Sequence, residues 1–401
     1  MRKIVRIITR LNIGGPALHT VVLTDGMTRR GYQTVLVTGT CEAEDGDMSY
    51  LVNQDDAVRW VPEMSRSVHP WKNLRALFQI VRLIRAERPL IVHTHTAMAG
   101  TLGRLAAIIC RVPVIVHTFH GNSLRHYFSP LANRVFLAME RFLARRTDAI
   151  CVVAPQQVDE LSRDFRIAPR DKFRVIPLGV DLDAYLSLPE CAAPPPPLVV
   201  GWLGRLVPVK NVPLLVAAAE ETLRRTDDVV FLVAGDGPGR KALQDAAARF
   251  TGRFVWLGWQ KDILPLLARC HVLLQTSLNE GTPIALIQGM AAARPFVSTA
   301  VGGVVDMVHG SVRRDGNGAR WYANAVLVEP RPEAFADSLC ELAEDRGALL
   351  QMGREARVFA SMRYRKERLL SDLDALYQEL IERKLSASSA VRRSAPPTQL
   401  D

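Results

Sequence analysis

The sequence predicts an α/β chain of two Rossmann-like, doubly wound domains, and three observations carry that expectation. Its 401 residues exceed one typical domain and suit two of roughly 150 to 200 residues. Short apolar β-rich runs alternate with helical patterns in both halves, as in a parallel sheet covered by helices. Between the halves, Cys191–Pro197 ends in four consecutive prolines. Proline stiffens the chain and removes backbone donors, so this stretch reads as a linker. The expected domains are residues 1–190 and 198–361.

In the first half, strands are expected at Lys3–Thr9, Thr34–Thr38, Leu90–His93, Val114–Thr118 and Ala149–Val153, with a helix over Leu74–Arg88. In the second half they are expected at Val199–Leu203, Val229–Ala234, Phe254–Leu257, Val272–Gln275 and Pro295–Ser298, with helices between. No repeat of solenoid length is present. The end of the chain, 385–401, is rich in Ser, Ala and Pro without apolar periodicity and reads as a disordered tail. Ligands of doubly wound sheets bind at the carboxyl ends of strands, so two such domains face to face would hold one in the cleft between them.

Hydrophobic content of 48% and charged content of 23% give ample material for two cores. Six cysteines form no C-x-x-C pair and no zinc-ligand spacing with a histidine, as expected of isolated thiols in a reducing compartment. Arg6 and Arg10 interrupt any signal-peptide core, and no apolar run reaches the roughly 18 residues of a membrane span. A cytoplasmic protein is expected. Of the net charge of +10, residues 1–185 carry 25 Lys+Arg against 17 Asp+Glu, and residues 186–401 carry 26 against 24. The basic excess of the first half suits anionic lipid or a phosphorylated acceptor. Nucleic-acid binding would rest on charge alone and is not expected. Residues 129–146 form a basic amphipathic helix, with Leu131, Val135, Met139 and Phe142 on one side and Arg134, Arg141 and Arg145 beside them. It can rest on an anionic membrane or pack on the core with a solvated face.

The segment with most chemistry is Ser277 to Ala291. Thr282 is a good N-cap and Pro283 a good first residue, so a helix should start there. Ile284, Ile287 and Ala291 would pack on the sheet, while Gly281, Ala285, Gln288 and Ala292 would leave a small-residue face for a ligand. Free N–H groups at the helix start suit a diphosphate. Glu280, just before it, can accept hydrogen bonds from sugar hydroxyls. A second segment, Gly201 to Asn211, follows a strand directly. Its Arg205 and Lys210 can neutralise a pyrophosphate. Gly14-Gly15-Pro16 is a glycine turn before a helix start, and Gly235-Asp-Gly237-Pro-Gly239-Arg240 departs from G-x-G-x-x-G at its last position. His93, His95, His117 and His120 cluster at strand ends with no carboxylate or Cys at metal-motif spacing. His120, followed by Gly121, is the best candidate among them to meet substrate.

Taken together and in order, these segments resemble family 4 of the retaining glycosyltransferases, which has the GT-B fold. The likeness runs from Ile7 to about Leu380. It includes Gly14-Gly15, His93-Thr-His95 through Gly103-Arg104, Val116 to Gly121, Ile176 to Asp181, Gly204-Arg205 with Lys210, Gly235-Asp-Gly237-Pro238, and Glu280-Gly-Thr-Pro to Gly302-Gly303. The resemblance implies transfer of a sugar from a nucleotide diphosphate, expected to be UDP, to a glycan or lipid-linked acceptor in cell-envelope or exopolysaccharide synthesis. It implies that Arg205, Lys210, Glu280 and His120 are the catalytic set. Arg205 and Lys210 would hold the diphosphate, Glu280 the sugar hydroxyls, and His120 would contact the sugar. Donor-binding residues would be Gly14, Gly15, Gly204, Gly281, Thr282, Pro283, Ile284 and Gln288. The final helix, about 362–383, would complete the first domain. No metal or other cofactor is expected, because Arg and Lys take the cation's place. The Asp-x-Asp triplets at 45/47, 181/183 and 372/374 are short enough to arise by chance. A peripheral position on the inner face of the cytoplasmic membrane would follow from a lipid-linked acceptor.

One departure stands out. The second acid of the family's Glu-x7-Glu motif falls at Gln288, which keeps hydrogen bonding but loses charge. This leaves open a pseudoenzyme that binds sugar nucleotide without transfer. A GT-B sugar-nucleotide epimerase also stays open, as does a dinucleotide oxidoreductase suggested by Gly235–Gly239.

Overall fold

The computed structural model describes residues 2–12, 14–41, 46–52, 58–65, 69–121, 130–190 and 197–394, with side chains of 130–132 and 387–394 left aside. The chain divides into two compact units, Met1–Pro177 with Glu367–Asp401, and Leu178–Lys366. Residues 178–190 thus belong to the second unit, not to the first as the sequence suggested. The reason is local: Val180 bridges to Arg365, and its N–H bonds Tyr364 O at 2.8 Å. Linker residues 191–196 lie outside the described residues.

The first unit runs β1 (Lys3–Arg10), α1 (Gly15–Arg29), β2 (Gln33–Gly39), β3 (Val58–Trp60), α2 (Pro70–Glu87), β4 (Ile91–His95), α3 (Ala97–Ile109), β5 (Val114–Phe119), α4 (Pro130–Arg146), β6 (Ala149–Val152), α5 (Pro155–Asp159) and β7 (Phe173–Val175). Its parallel sheet has the order β3-β2-β1-β4-β5-β6-β7. Alternation along the strands feeds both faces. Val5, Ile7, Val92 and Ile115 pack against α2 and α3 on one side. Ile4, Ile91 and Val114 meet Leu23 and Met27 of α1 on the other. Helix α4 is pinned to α3 by a buried ion pair, in which Arg104 Nη2 reaches both oxygens of Glu140 at 2.7 Å.

The second unit runs α6 (Asp183–Leu186), β8 (Leu198–Leu203), α7 (Val212–Arg225), β9 (Val229–Ala234), α8 (Arg240–Arg249), β10 (Phe254–Gly258), α9 (Leu264–Arg269), β11 (Val272–Gln275), α10 (Ile284–Ala291), β12 (Phe296–Thr299), β13 (Arg314–Gly316), β14 (Ala319–Trp321), β15 (Ala325–Val328), α11 (Pro332–Glu344) and α12 (Arg346–Arg363). The sheet order is β10-β9-β8-β11-β12-β15-β14-β13, parallel except for the β13 and β14 edge. Trp202, Phe231, Phe254 and Phe335 are the large side chains of its core.

A last helix, α13 (Lys366–Ser394), returns to the first unit. Its Leu369, Leu373, Tyr377 and Leu380 complete the α1 side of the sheet. It starts at Lys366 rather than 362 because Met362 and Arg363 close α12. It also continues ten residues into the stretch read as a tail. Ser and Ala without Gly or Pro let an established helix propagate, and Pro396 is the first breaker beyond it. Residues 395–401 lie outside the described ones. The expected strands are all present, within two residues at each end, but β3, β7 and β13 to β15 had not been foreseen.

Candidate active site

In the second unit, two strand ends present the expected charged residues. The chain leaves β8 through Gly204 into Arg205 and a short turn at Pro208–Lys210. This loop rests on the Gly235–Gly239 segment after β9. Gly204 N–H bonds Ala234 O, Leu206 N–H bonds Asp236 O, and Gly239 N–H bonds Leu206 O. A Cβ on Gly235, where φ is +145°, would lie 1.8 Å from Gly204 O. Glycine is required there so that two backbones can touch. The Gly235–Gly239 segment therefore supports the Arg205 loop, and its Asp236 is taken by Arg240 at 2.8 Å.

After β11 the chain carries Thr276, Ser277 and Glu280 to α10. Three donors converge on Glu280 Oε1: Lys210 Nζ at 2.6 Å, Ser277 Oγ at 2.6 Å and Gln275 Nε2 at 2.5 Å. No described residue bonds Oε2. Lys210 is held from its other end by Thr276 Oγ1, which donates to Lys210 O, and Ser277 O accepts from Thr299. Behind the carboxylate, Gly303 N–H bonds Glu280 O at 3.0 Å. Gly302 sits at φ +50° with its Cβ position 1.9 Å from that same oxygen. Gln275, Ser277, Thr299 and Gly302 are thus site residues to which the sequence reading gave no role. Arg205 is half-buried, and its guanidinium bonds no described residue.

Helix α10 begins at Ile284, with Pro283 as its N-cap residue. Thr282 does not cap it, contrary to expectation. Its hydroxyl is buried without a partner, since the backbone enters the helix one residue later, after Pro283. Pro283 offers no amide to a ligand, but Gly281, Thr282, Ile284 and Ala285 each keep an N–H. The buried face is Leu286, Ile287, Met290 and Ala291, whereas Ile284 is half-exposed beside Ala285 and Gln288. Gln288 Nε2 donates to Tyr185 OH at 2.8 Å, and burial raises the Tyr185 phenol pKa. The Gln288 carbonyl and the Tyr185 hydroxyl proton remain available. Of the Asp-x-Asp triplets, Asp181 and Asp183 are paired with Lys366 and Arg365, and Asp372 and Asp374 with Arg368 and Arg30. Asp45 lies outside the described residues.

In the first unit, Gly14 is the N-cap residue of α1, with Pro16 in its first turn. One turn further on, His19 meets His95 from the end of β4 and His120 from just beyond β5. Their rings lie 4.9 to 5.7 Å apart, and His95 Nδ1 and His120 Nε2 share a 3.0 Å hydrogen bond. His19 was not foreseen, although its place four residues after Gly15 was the available signal. His93 stacks on His95 but bonds Tyr377 OH at 2.6 Å and Thr118 Oγ1 at 2.7 Å. His117 faces the α3 side and bonds Thr94. Burial lowers the pKa of every one of these histidines, that of His120 to about 3, so all are neutral near pH 7. Nitrogens of His19, His95 and His120 lie within 4.8 Å of one another, close enough to share a cation. The guanidinium of fully buried Arg6, which bonds His93 Nδ1 at 3.2 Å, opposes a second positive charge there. Between His95 and α3, Thr96 is held at φ +65°, a strained value for a β-branched residue, by a 2.7 Å bond between its hydroxyl and that of Thr9.

Comparison with known proteins matches residues 14–179 to the glycosyl transferase 4-like domain and residues 197–345 to the glycosyl transferases group 1 domain. An Escherichia coli UDP-Gal:alpha-D-GlcNAc-diphosphoundecaprenol alpha-1,3-galactosyltransferase is 29% identical over 62% of this chain and 68% of its own length. A Streptomyces fradiae 2-deoxystreptamine N-acetyl-D-glucosaminyltransferase is 30% identical over 57% of this chain, which spans only 59% of that relative. Among solved structures, Anabaena HepE in complex with UDP superposes with a TM-score of 0.74 at 19% identity, covering 94% of this chain and all of HepE. Sucrose-phosphate synthase from Thermosynechococcus elongatus gives 0.75 at 18% identity, covering 95% and all of the two chains.

Proposed function

The chain belongs to the group 1 glycosyltransferases of GT-B fold, and on that premise we propose that it moves a sugar from a UDP-sugar to a lipid-linked glycan precursor, with retention of configuration. The observation that carries the reading is the Glu280 carboxylate. One of its oxygens is fixed by three donors, Lys210 among them, and no described residue bonds the other; Arg205 and the free amides at the start of α10 belong to the same unit. That arrangement suits a hydroxyl-bearing sugar attached to a diphosphate. UDP is favoured because the Escherichia coli relative is described as using UDP-Gal and HepE was solved with UDP. That relative's diphosphoundecaprenol substrate supports a lipid-linked acceptor. A membrane-resting role for α4 would fit it.

In the proposed reaction the bond from the sugar's anomeric carbon to the diphosphate breaks. The acceptor hydroxyl forms its bond to that carbon on the same face, and its proton passes to the departing phosphate oxygen. Arg205, Lys210 and the α10 amides spread the leaving charge, so no metal is required. Glu280 orients the sugar, and neutral His120, Gly14 and Gly15 are the first unit's proposed contacts. Gln288 and Tyr185 would hold the ribose without a charge.

A donor screen tests this reading. Release of nucleoside diphosphate from UDP-, GDP- and ADP-sugars is measured with a membrane extract as acceptor source, in chelator, beside Glu280→Ala. Release from a UDP-sugar that Glu280→Ala abolishes is expected. Donor binding without release, even with the extract, would instead establish a sugar-nucleotide binder. Loss of release on chelation would overturn the metal-free step.

A further inference from the structure

His95 and His120 stand at the end of a cluster of histidine rings in the first unit. His93 stacks on His95 with centroids 4.3 Å apart, and His19 meets both His95 and His120 edge-on. The backbone of His95 is held by the Thr96 hydroxyl, which donates to His95 O and shares a 2.7 Å bond with Thr9 Oγ1. In His93 the place of the ring proton is dictated. Arg6 Nη1 has only protons to give, so His93 Nδ1 accepts from it. His93 Nε2 therefore carries the proton and donates it to Thr118 Oγ1 at 2.7 Å. The next pair has two choices. His95 Nδ1 and His120 Nε2 lie 3.0 Å apart, and one proton is shared between two neutral rings. If His120 supplied it, the proton of His95 would sit on Nε2, which is buried with no partner among the described residues. If His95 supplies it, only a lone pair is left at that Nε2. Buried acceptors go unpaired more often than buried N–H groups do. The proton of a neutral imidazole sits on the nitrogen that is not accepting, so His120 then carries its own on Nδ1. That nitrogen bonds no described residue, and His120 is only half-buried.

We propose that His95 is a positioning residue for His120: it donates from Nδ1 to His120 Nε2, and so presents the Nδ1–H of His120 as a hydrogen-bond donor to an oxygen of the transferred sugar. The donor form recognises an oxygen lone pair, whereas a bare Nδ1 would demand a hydroxyl proton. A ring locked in this form by its neighbours is oriented before the sugar arrives, which is how a fixed donor contributes to binding and turnover. An isolated neutral histidine side chain prefers its proton on Nε2, so the choice at His120 is imposed by His95. The sugar contact rests on the function proposed above; the place of the proton does not.

Full-length protein, isotope-labelled in its histidine rings, would be measured at neutral pH by long-range proton–nitrogen correlation NMR, which shows which ring nitrogen carries the proton. The His120 signals are those missing from His120→Gln. Wild type is expected to carry the His120 proton on Nδ1. His95→Met should move it to Nε2. His95→Asn, whose amide can donate from the place of Nδ1, should keep it on Nδ1. The wrong tautomer forfeits one hydrogen bond to the sugar, so donor kcat/KM should fall about tenfold in His95→Met and stay within about threefold of wild type in His95→Asn. A thermal melt of each variant excludes unfolding, and the wild-type spectrum decides even if His95→Met does not fold. A wild-type His120 protonated on Nε2 would overturn the proposal. So would a His120 proton that stays on Nδ1 in His95→Met, or an unchanged kcat/KM in that variant once its proton has moved. The expected tautomers in a protein that turns over no donor would sink the transferase reading and leave the His95 assignment standing.

Discussion

Replacing Glu280 with Gln changes almost no volume and removes one charge, which isolates what the carboxylate does. In the folded chain Oε1 is occupied by Lys210, Ser277 and Gln275, so a bound sugar would meet Oε2. A carboxylate oxygen can accept two hydroxyl protons. A hydrogen bond to a charged group is worth about 1.5–3 kcal/mol against about 0.5–1.5 for a neutral one, a difference near 1–1.5 per bond. Two such bonds lost in strength come to about 2–3 kcal/mol, or about 30- to 150-fold in kcat/KM. Lys210 and Glu280 are largely buried, with side-chain exposures of 18% and 12%, so solvent screening offsets little of this. Steady-state turnover of the donor, beside a thermal melt to exclude unfolding, is the assay. A variant that melts normally and keeps kcat/KM within about threefold of wild type would refute the assignment of Oε2 to the sugar.

Other perturbations follow from the same structure. Gly302→Ala puts a methyl 1.9 Å from Glu280 O at a φ of +50°, so the donor KM should rise at least about tenfold, read by initial rates. Glu140→Ala leaves Arg104 charged and fully buried, at a cost of about 3–5 kcal/mol in chemical denaturation, most of which Arg104→Met/Glu140→Leu should restore. The buried histidines have folded pKa values below the unfolded 6.5, so their stabilisation is complete above that pH and is lost as pH falls toward the folded values. Between pH 6.5 and 5 each should remove up to about 1.4 kcal/mol per pH unit, and a denaturation midpoint constant over that window would contradict their burial as neutral rings.

Much of this fold was legible because its strands are continuous apolar runs. Val229–Ala234 and Val272–Gln275 needed no correction. Most of the strands that were missed lie at or beside a sheet edge; Ala325–Val328, buried inside the second sheet, is the exception. Arg314–Gly316 is fully exposed, and Val58–Trp60 spans three residues, so neither carries a burial signal. Glu280 and Lys210 could be singled out by local setting, but their pairing across 70 residues could not. Nor could the roles of Gln275 and Ser277, which depend on where a neighbouring chain segment places its lysine. Thr282 was misread because a residue before proline at a helix start looks like a cap, whereas the backbone turns into α10 only after Pro283. His19 lay hidden inside a helix pattern, since the rings it meets come from residues 95 and 120.

The return of α13 to the first unit has a consequence for synthesis. When the ribosome has finished Pro177, the seven-stranded sheet has all its strands and α1 covers part of one face, yet the part that will receive Leu369, Leu373, Tyr377 and Leu380 is bare. The whole second unit must be translated before that cover emerges, a wait of about 10–40 s at about 5–20 residues per second. A nascent chain of this protein therefore carries an open apolar surface while its neighbour folds. A premature stop anywhere before Lys366 would leave the earliest-made half, not the latest, as the part for chaperones and proteases to find.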